Sequence, residues 1–135
     1  MPQIIWTDDL SVGIKIIDEQ HLKLINYINT LDNLLQSGES QSLLYNVIFG
    51  LEMYVAIHFA TEEKLMAAYN YQDSTAHRAE HRQFILAVRK FRVNSDAGNA
   101  KISEDIHTFL NKWLMNHILK TDKELGNGLI KKGVA

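Results

Sequence analysis

Apolar residues return at three- and four-residue steps through four stretches of this chain, with short polar breaks between them. Leu24, Ile25, Ile28, Leu31 and Leu35 trace the first stripe. Val47, Leu51, Tyr54 and Val55 begin the second, which continues through His58, Glu62 and Leu65. Phe84, Ile85, Val88 and Phe91 form the third, and Ile106, Phe109, Leu110, Trp113, Leu114 and His117 the fourth. This is the period an α-helix turns toward a core. A single proline and 7 glycines in 135 residues leave it almost unbroken, a composition opposed to loop-rich β architecture. The spacing predicts an all-α fold, an up-down-up-down four-helix bundle preceded by an N-terminal arm.

One domain is expected over 1–135. Residues 1–17 keep no period and read as the arm, which Trp6, Val12, Ile14 and Ile16 can fold against the bundle. Helices are expected at about 18–37, 40–68, 74–93 and 103–125, with a loose tail over about 126–135. Ser37-Gly38 would close the first helix, Asp73 or Ser74 would cap the third and Ser103 the fourth. Asn94-Ser95-Asp96-Ala97-Gly98-Asn99 reads as a loop.

Composition removes several function classes. The 14 basic and 16 acidic residues give a net charge of −2 without a basic patch, so nucleic acid is not an expected partner. The absence of cysteine excludes disulfides, thiolate zinc sites, cysteine-ligated iron–sulfur clusters and thiol nucleophiles. No run of roughly 18 apolar residues predicts membrane insertion. The start Met1-Pro2-Gln3-Ile4-Ile5-Trp6 lacks the features of a secretory signal, and the expected location is cytoplasmic.

The six histidines are the unusual feature. His21 falls on the inner face of the first helix, four residues before Ile25. His58 and Glu62 are four apart on the second stripe. His77 and His81 are four apart on the third, directly before Phe84 and Ile85. His117 continues the fourth stripe, and Asp122 follows five residues later. In an α-helix, positions four apart differ by about 40° around the axis and 6 Å along it, so both can reach one ion. His77 and His81 fit that use. His58 and Glu62 can share an ion, or Glu62 can reach across to a second. Five residues turn about 140°, so Asp122 would approach from the flank. A lone inward histidine is more often a hydrogen-bonded core residue than a ligand, and Asp122 beside Lys120 and Lys123 would alone read as solvated. Together, seven inward donors on four helices would make a costly core without metal. His107, roughly 80° off the fourth stripe, reads as an ordinary surface histidine and serves as the control.

The runs His58-Phe59-Ala60-Thr61-Glu62-Glu63, His77-Arg78-Ala79-Glu80-His81 and His117-Ile118-Leu119-Lys120-Thr121-Asp122 resemble the signature of hemerythrins. Asp18-Glu19-Gln20-His21 and the early Trp6 are similar to the bacterial branch. The resemblance extends from about Trp6 to Leu125. One departure is Tyr71-Gln72, where the family often has Tyr-Pro; it touches a turn and no ligand. The resemblance implies a non-haem di-iron site that binds dioxygen reversibly. His77, His81 and His117 would hold one iron, His21 and His58 the other, and Glu62 and Asp122 would bridge them. The cofactor would be two iron ions joined by an oxo or hydroxo bridge. Counted against two octahedral metals, these donors leave one position on the two-histidine iron for dioxygen. Mixed imidazole and carboxylate donors suit iron, manganese or zinc.

Three roles are open on this reading. The first is oxygen carriage, storage or delivery, without catalysis, with Phe59, Trp113, Leu114 and Ile118 lining the oxygen pocket or serving as plain core. The second is a di-iron oxidase or peroxidase. Oxygen-activating bundles, however, supply mainly glutamates with Glu-x-x-His spacing, and no such pair lies on the inner faces here. The third is an oxygen or redox sensor acting through a separate protein partner, which the sequence does not identify.

Overall fold

The computed structural model describes residues 3–37, 41–96 and 101–135, and among these every regular element is helical. Helix α1 is Lys15–Ser37. Helix α2 covers 41–68, α3 is Ser74–Asp96, and α4 covers 102–130. A single 3₁₀ turn, Asp8–Leu10, precedes them. Sequence neighbours pack against one another and α1 also contacts α4, closing a four-helix ring.

Two of these helices change their winding midway. Gln41–Tyr54 is α-helical, Val55–Phe59 is a π-helix, and Ala60–Ala68 is α-helical again. Likewise Ile102–Trp113 gives way to a π-helix at Leu114–Asp122 before Lys123–Ile130 resumes the α form. A π-helix bonds each carbonyl to the amide five residues on, and it is rare outside functional sites.

The boundaries depart from the sequence reading in instructive ways. Helix α1 starts at Lys15, inside the expected arm. Its buried stripe ends on Leu34, with Leu35 only partly covered. Helix α3 continues through Asp96, so Asn94, Ser95 and Asp96 are helical rather than loop. The remainder of that stretch and the expected helix boundaries at Gly38 and Ser40 lie outside the described residues. Ser103 is inside α4, behind Lys101 at the cap position, and its hydroxyl is buried. The break between α2 and α3 is a Schellman turn: Asn70 takes φ 52, the Tyr71 amide donates to Met66 O at 3.0 Å and the Asn70 amide to Ala67 O at 3.5 Å. Asparagine tolerates that left-handed position better than most residues.

The C-terminal segment is not a loose tail. Helix α4 runs to Ile130, with Leu125 and Leu129 fully buried against Val12, Ile14, Ile17 and Met66. Gly126 permits this contact, since a Cβ there would lie 2.1 Å from the Val12 carbonyl oxygen. The arm folds down as expected at Val12 and Ile14, while Ile16 stays 45% exposed. These residues make a small apolar cluster at one end of the bundle. The larger cluster, from Leu24 to Leu34 on α1 and through Leu51, Phe84, Ile106 and Leu110, fills the rest. The stretch Leu44–Ala68 is long and apolar enough to cross a membrane by length and composition. Leu44, Val47, Ile48 and Leu51 within it are turned into the bundle core.

Candidate metal centre

Between the two apolar clusters the helices contribute polar side chains. His21, His58, Glu62, His77, His81, His117 and Asp122 are each no more than 1% exposed. Helix period explains most of this. Ile17 and Leu24 flank His21 along α1, Tyr54 and Met66 bracket His58 and Glu62, and Phe84 follows His81 on the same stripe.

The exception is Asp122, which α-helical winding would turn away from His117. Both residues lie in the Leu114–Asp122 π segment, where residues five apart are bonded neighbours. The wider turn brings Asp122 under His117, with Asp122 Oδ1 3.1 Å from His117 Nε2. Asp122 therefore faces the interior rather than approaching from the flank.

The seven residues fall into two overlapping sets able to hold a metal: Glu62, His77, His81, His117 and Asp122, and His21, His58, Glu62 and Asp122. The carboxylates divide their oxygens between them. Glu62 Oε1 is 2.9 Å from His81 Nε2 and 3.2 Å from His77 Nε2, while its Oε2 is 3.3 Å from His58 Nε2. Asp122 Oδ1 is 3.0 Å from His77 Nε2, while its Oδ2 is 2.9 Å from His21 Nε2.

These donors fit a cation better than they fit one another. His21 Nε2 and His58 Nε2 face each other at 3.1 Å. Glu62 Oε2, both Asp122 oxygens and His117 Nε2 are buried without a properly directed hydrogen bond despite their short contacts. Atoms so placed point at shared positions, which positive charge would satisfy and hydrogen bonding does not. Burial pushes Glu62 up, but His58, His77 and His81 override it and hold the carboxyl well below its usual range. Burial and Glu62 likewise raise Asp122, yet His117 and His21 bring it to about 2. His77 is pushed up to about 10, burial opposing and the adjacent Asp122 and Glu62 carboxylates prevailing. Burial lowers His58. The carboxylates are thus ionised, and protons occupy the cluster where a metal would compete with them.

A second layer fixes three of the rings, and the sequence reading missed it. His58 Nδ1 donates to Gln20 Oε1 at 2.6 Å, and the Gln20 amide donates onward to Thr61 Oγ1 at 3.0 Å. His81 Nδ1 meets Glu63 Oε2 at 3.0 Å, and His117 Nδ1 meets Glu80 Oε1 at 2.9 Å. Since these oxygens only accept, each Nδ1 carries a proton and each ring turns its Nε2 inward. Gln20, Glu63 and Glu80 each adjoin an expected ligand in sequence, the one signal that could have marked them. Phe59 stacks on His81 at 3.8 Å and Trp113 on His117 at 3.9 Å. Leu114 and Ile118 lie in the larger apolar cluster. His107 is not on the surface: it is 9% exposed, 3.6 Å from Asp32 Oδ1 and close to Asn111, and belongs to neither metal-holding set. Its ring fits between α1 and α4, where a carboxylate compensates its burial.

Fold and site together define a four-helix protein with a buried histidine–carboxylate centre suited to metal. The hemerythrin HHE cation-binding domain matches residues 12–127. A bacteriohemerythrin of Pseudomonas paraeruginosa is 38% identical over 122 residues, covering 90% of this chain and 78% of that protein. A bacteriohemerythrin of Methylococcus capsulatus is 31% identical over 127 residues, covering 93% and 96%. The solved structure of a wild-type hemerythrin superposes with a TM-score of 0.79 at 30% identity, covering 95% of this chain and 98% of that one. The chain belongs to the hemerythrin family, whose members bind dioxygen at non-haem iron.

Proposed function

We propose that this protein binds dioxygen reversibly at a di-iron centre, for carriage, storage or delivery. The observation that carries the reading is the division of the two carboxylates, each with one oxygen toward the His77 side and the other toward the His21–His58 side. On this reading His77, His81 and His117 hold one iron, His21 and His58 hold the other, and Glu62 and Asp122 span both. Iron held by these residues would supply the reversible redox chemistry that dioxygen binding needs.

The protein's share is positional and electrostatic. Gln20, Glu63 and Glu80 hold three imidazoles with Nε2 inward, so little reorganisation accompanies metal binding. Glu62 and Asp122 supply two negative charges in a medium that otherwise opposes a cation. Phe59, Trp113, Leu114 and Ile118 keep water and stray protons from the centre, which favours release of the gas unchanged. Five neutral imidazoles stabilise high-valent iron less well than anionic oxygen donors do, so binding is preferred here over oxygen activation.

The test is the visible spectrum of reduced, iron-loaded protein through repeated oxygenation and degassing. A reversible change with stoichiometric oxygen uptake is expected. Continuous oxygen consumption in the presence of a reductant would assign the protein to an oxidase or peroxidase class instead.

A further inference from the structure

Two buried donors remain outside this account. Tyr54 is 6% and Trp113 7% exposed, and neither the Tyr54 hydroxyl nor Trp113 Nε1 has a hydrogen-bond partner among the described residues. Each stands four residues before a histidine of the centre, Tyr54 before His58 on α2 and Trp113 before His117 on α4. Each ring accordingly stacks on that histidine, Tyr54 at 4.8 Å and 19°, Trp113 at 3.9 Å and 12°. Phe59 and Phe84 fill the space between them, with Phe84 4.7 Å from Trp113 and 5.5 Å from Tyr54. The result is an aromatic layer over the centre, apolar except for one hydroxyl and one indole N–H.

The two polar atoms influence each other. Burial raises the Tyr54 phenol well above its usual range and Asp122 and Glu62 raise it further, while the Trp113 indole works the other way. The phenol lies within the field of both carboxylates. An indole only donates, whereas a phenol donates once and accepts twice. A hydrogen bond from Trp113 to the phenol oxygen would therefore satisfy the indole and leave the phenolic hydrogen unused. Phenylalanine would fill the same volume without an unsatisfied polar group, so the hydroxyl calls for an acceptor that the apolar layer does not supply.

We propose that the Tyr54 hydroxyl, backed by Trp113 Nε1, donates a hydrogen bond to a small ligand with a terminal acceptor atom, dioxygen or a linear inorganic anion, held on the His21–His58 side of the centre. The side is set by Tyr54 stacking on His58, which itself faces His21 at 3.1 Å. The inference rests on the reading of the centre as a ligand-binding iron site. It adds a specificity determinant that acts on the ligand and not on the metal.

Azide is the probe, since its terminal nitrogen accepts a hydrogen bond. Optical titration of oxidised, iron-loaded wild-type protein and Tyr54→Phe should show azide held about five- to tenfold more weakly by the variant, the worth of one hydrogen bond. Iron content should be unchanged, and the metal-free variant should melt no lower than metal-free wild type. Trp113→Phe should show a smaller loss of azide affinity. Equal affinity in wild type and Tyr54→Phe overturns the proposal. A lower melting temperature of metal-free Tyr54→Phe with unchanged affinity also overturns it and makes the hydroxyl structural. In wild-type protein alone, the antisymmetric stretch of bound azide should shift between H2O and D2O; an unshifted band overturns the proposal without any variant. Protein that takes up iron but no azide counts against it as well. Protein that takes up no iron overturns the underlying reading and this inference with it.

Discussion

Truncating Leu114 to alanine separates packing from protection of the centre. Leu110 and Leu114 both belong to the larger apolar cluster, Leu110 at 0% and Leu114 at 6% exposure. Leucine-to-alanine changes in a core cost about 2–5 kcal/mol, more where the surroundings cannot relax. The enclosed Leu110 site should fall in the upper part of that range. Leu114, with some access to solvent, should cost about 2–3 kcal/mol. For a chain of this length each kcal/mol lowers Tm by roughly 3–5 °C, so Leu114→Ala should melt about 6–15 °C below wild type. Leu110→Ala should melt lower still. Autoxidation follows a different order. Leu114 is three residues before His117 in the π segment, and the gap left by alanine would join the centre to solvent, whereas the gap at Leu110 would be sealed. Following the visible spectrum of the oxygenated protein should show several-fold faster autoxidation for Leu114→Ala and little change for Leu110→Ala. Equal autoxidation rates would refute the protective role and leave Leu114 as ordinary core.

Glu62→Ala and Asp122→Ala should each retain fewer than two irons and lose oxygen binding, and His58→Ala should lose iron from one side, all readable by metal analysis. His107→Ala should keep its iron and spectrum; because its partner Asp32 is buried, it should still cost about 1–3 kcal/mol of stability, measured by thermal melts. The pH dependence should differ between metal-free and zinc-loaded protein. In the metal-free form the raised His77 contributes stability in full below its ordinary value of 6.5, and that contribution is lost as pH rises through about 10. The depressed Asp122 contributes above 3.8 and is lost as pH falls through about 2. Metal must displace the His77 proton, so the melting-temperature difference between zinc-loaded and metal-free protein should widen from pH 7 to pH 10. A constant difference over that window would contradict the proton assignment.

Much of this architecture is legible in the sequence because a helix buries one stripe, and the stripe appears as a period. His21, His58, Glu62, His77 and His81 could be placed inward by counting in threes and fours from Leu24, Leu51 and Phe84. Asp122 could not, because counting assumes α winding and the change to π winding at Leu114–Asp122 arises from the packed bundle. His107 lies in the α-helical stretch, and its burial rests instead on Asp32 of α1, a distant partner that counting along one helix does not show. Gly126 marks the start of the expected tail. At Gly126 the missing side chain instead lets α4 lie against the Val12 carbonyl and close the bundle beneath the centre. The partners of the histidine rings were hidden for another reason. Glu80 lies beside His81 in sequence yet serves His117, 37 positions away, and no local pattern carries that pairing.

Metal titration of the metal-free protein tests the central claim most directly, with binding followed by mass and metal analysis together. The division of Glu62 and Asp122 between two sets of imidazoles predicts saturation at two irons per chain. It also predicts that Glu62→Ala and Asp122→Ala weaken both equivalents together. Saturation at a single iron, or loss of only one equivalent in both variants, would contradict it.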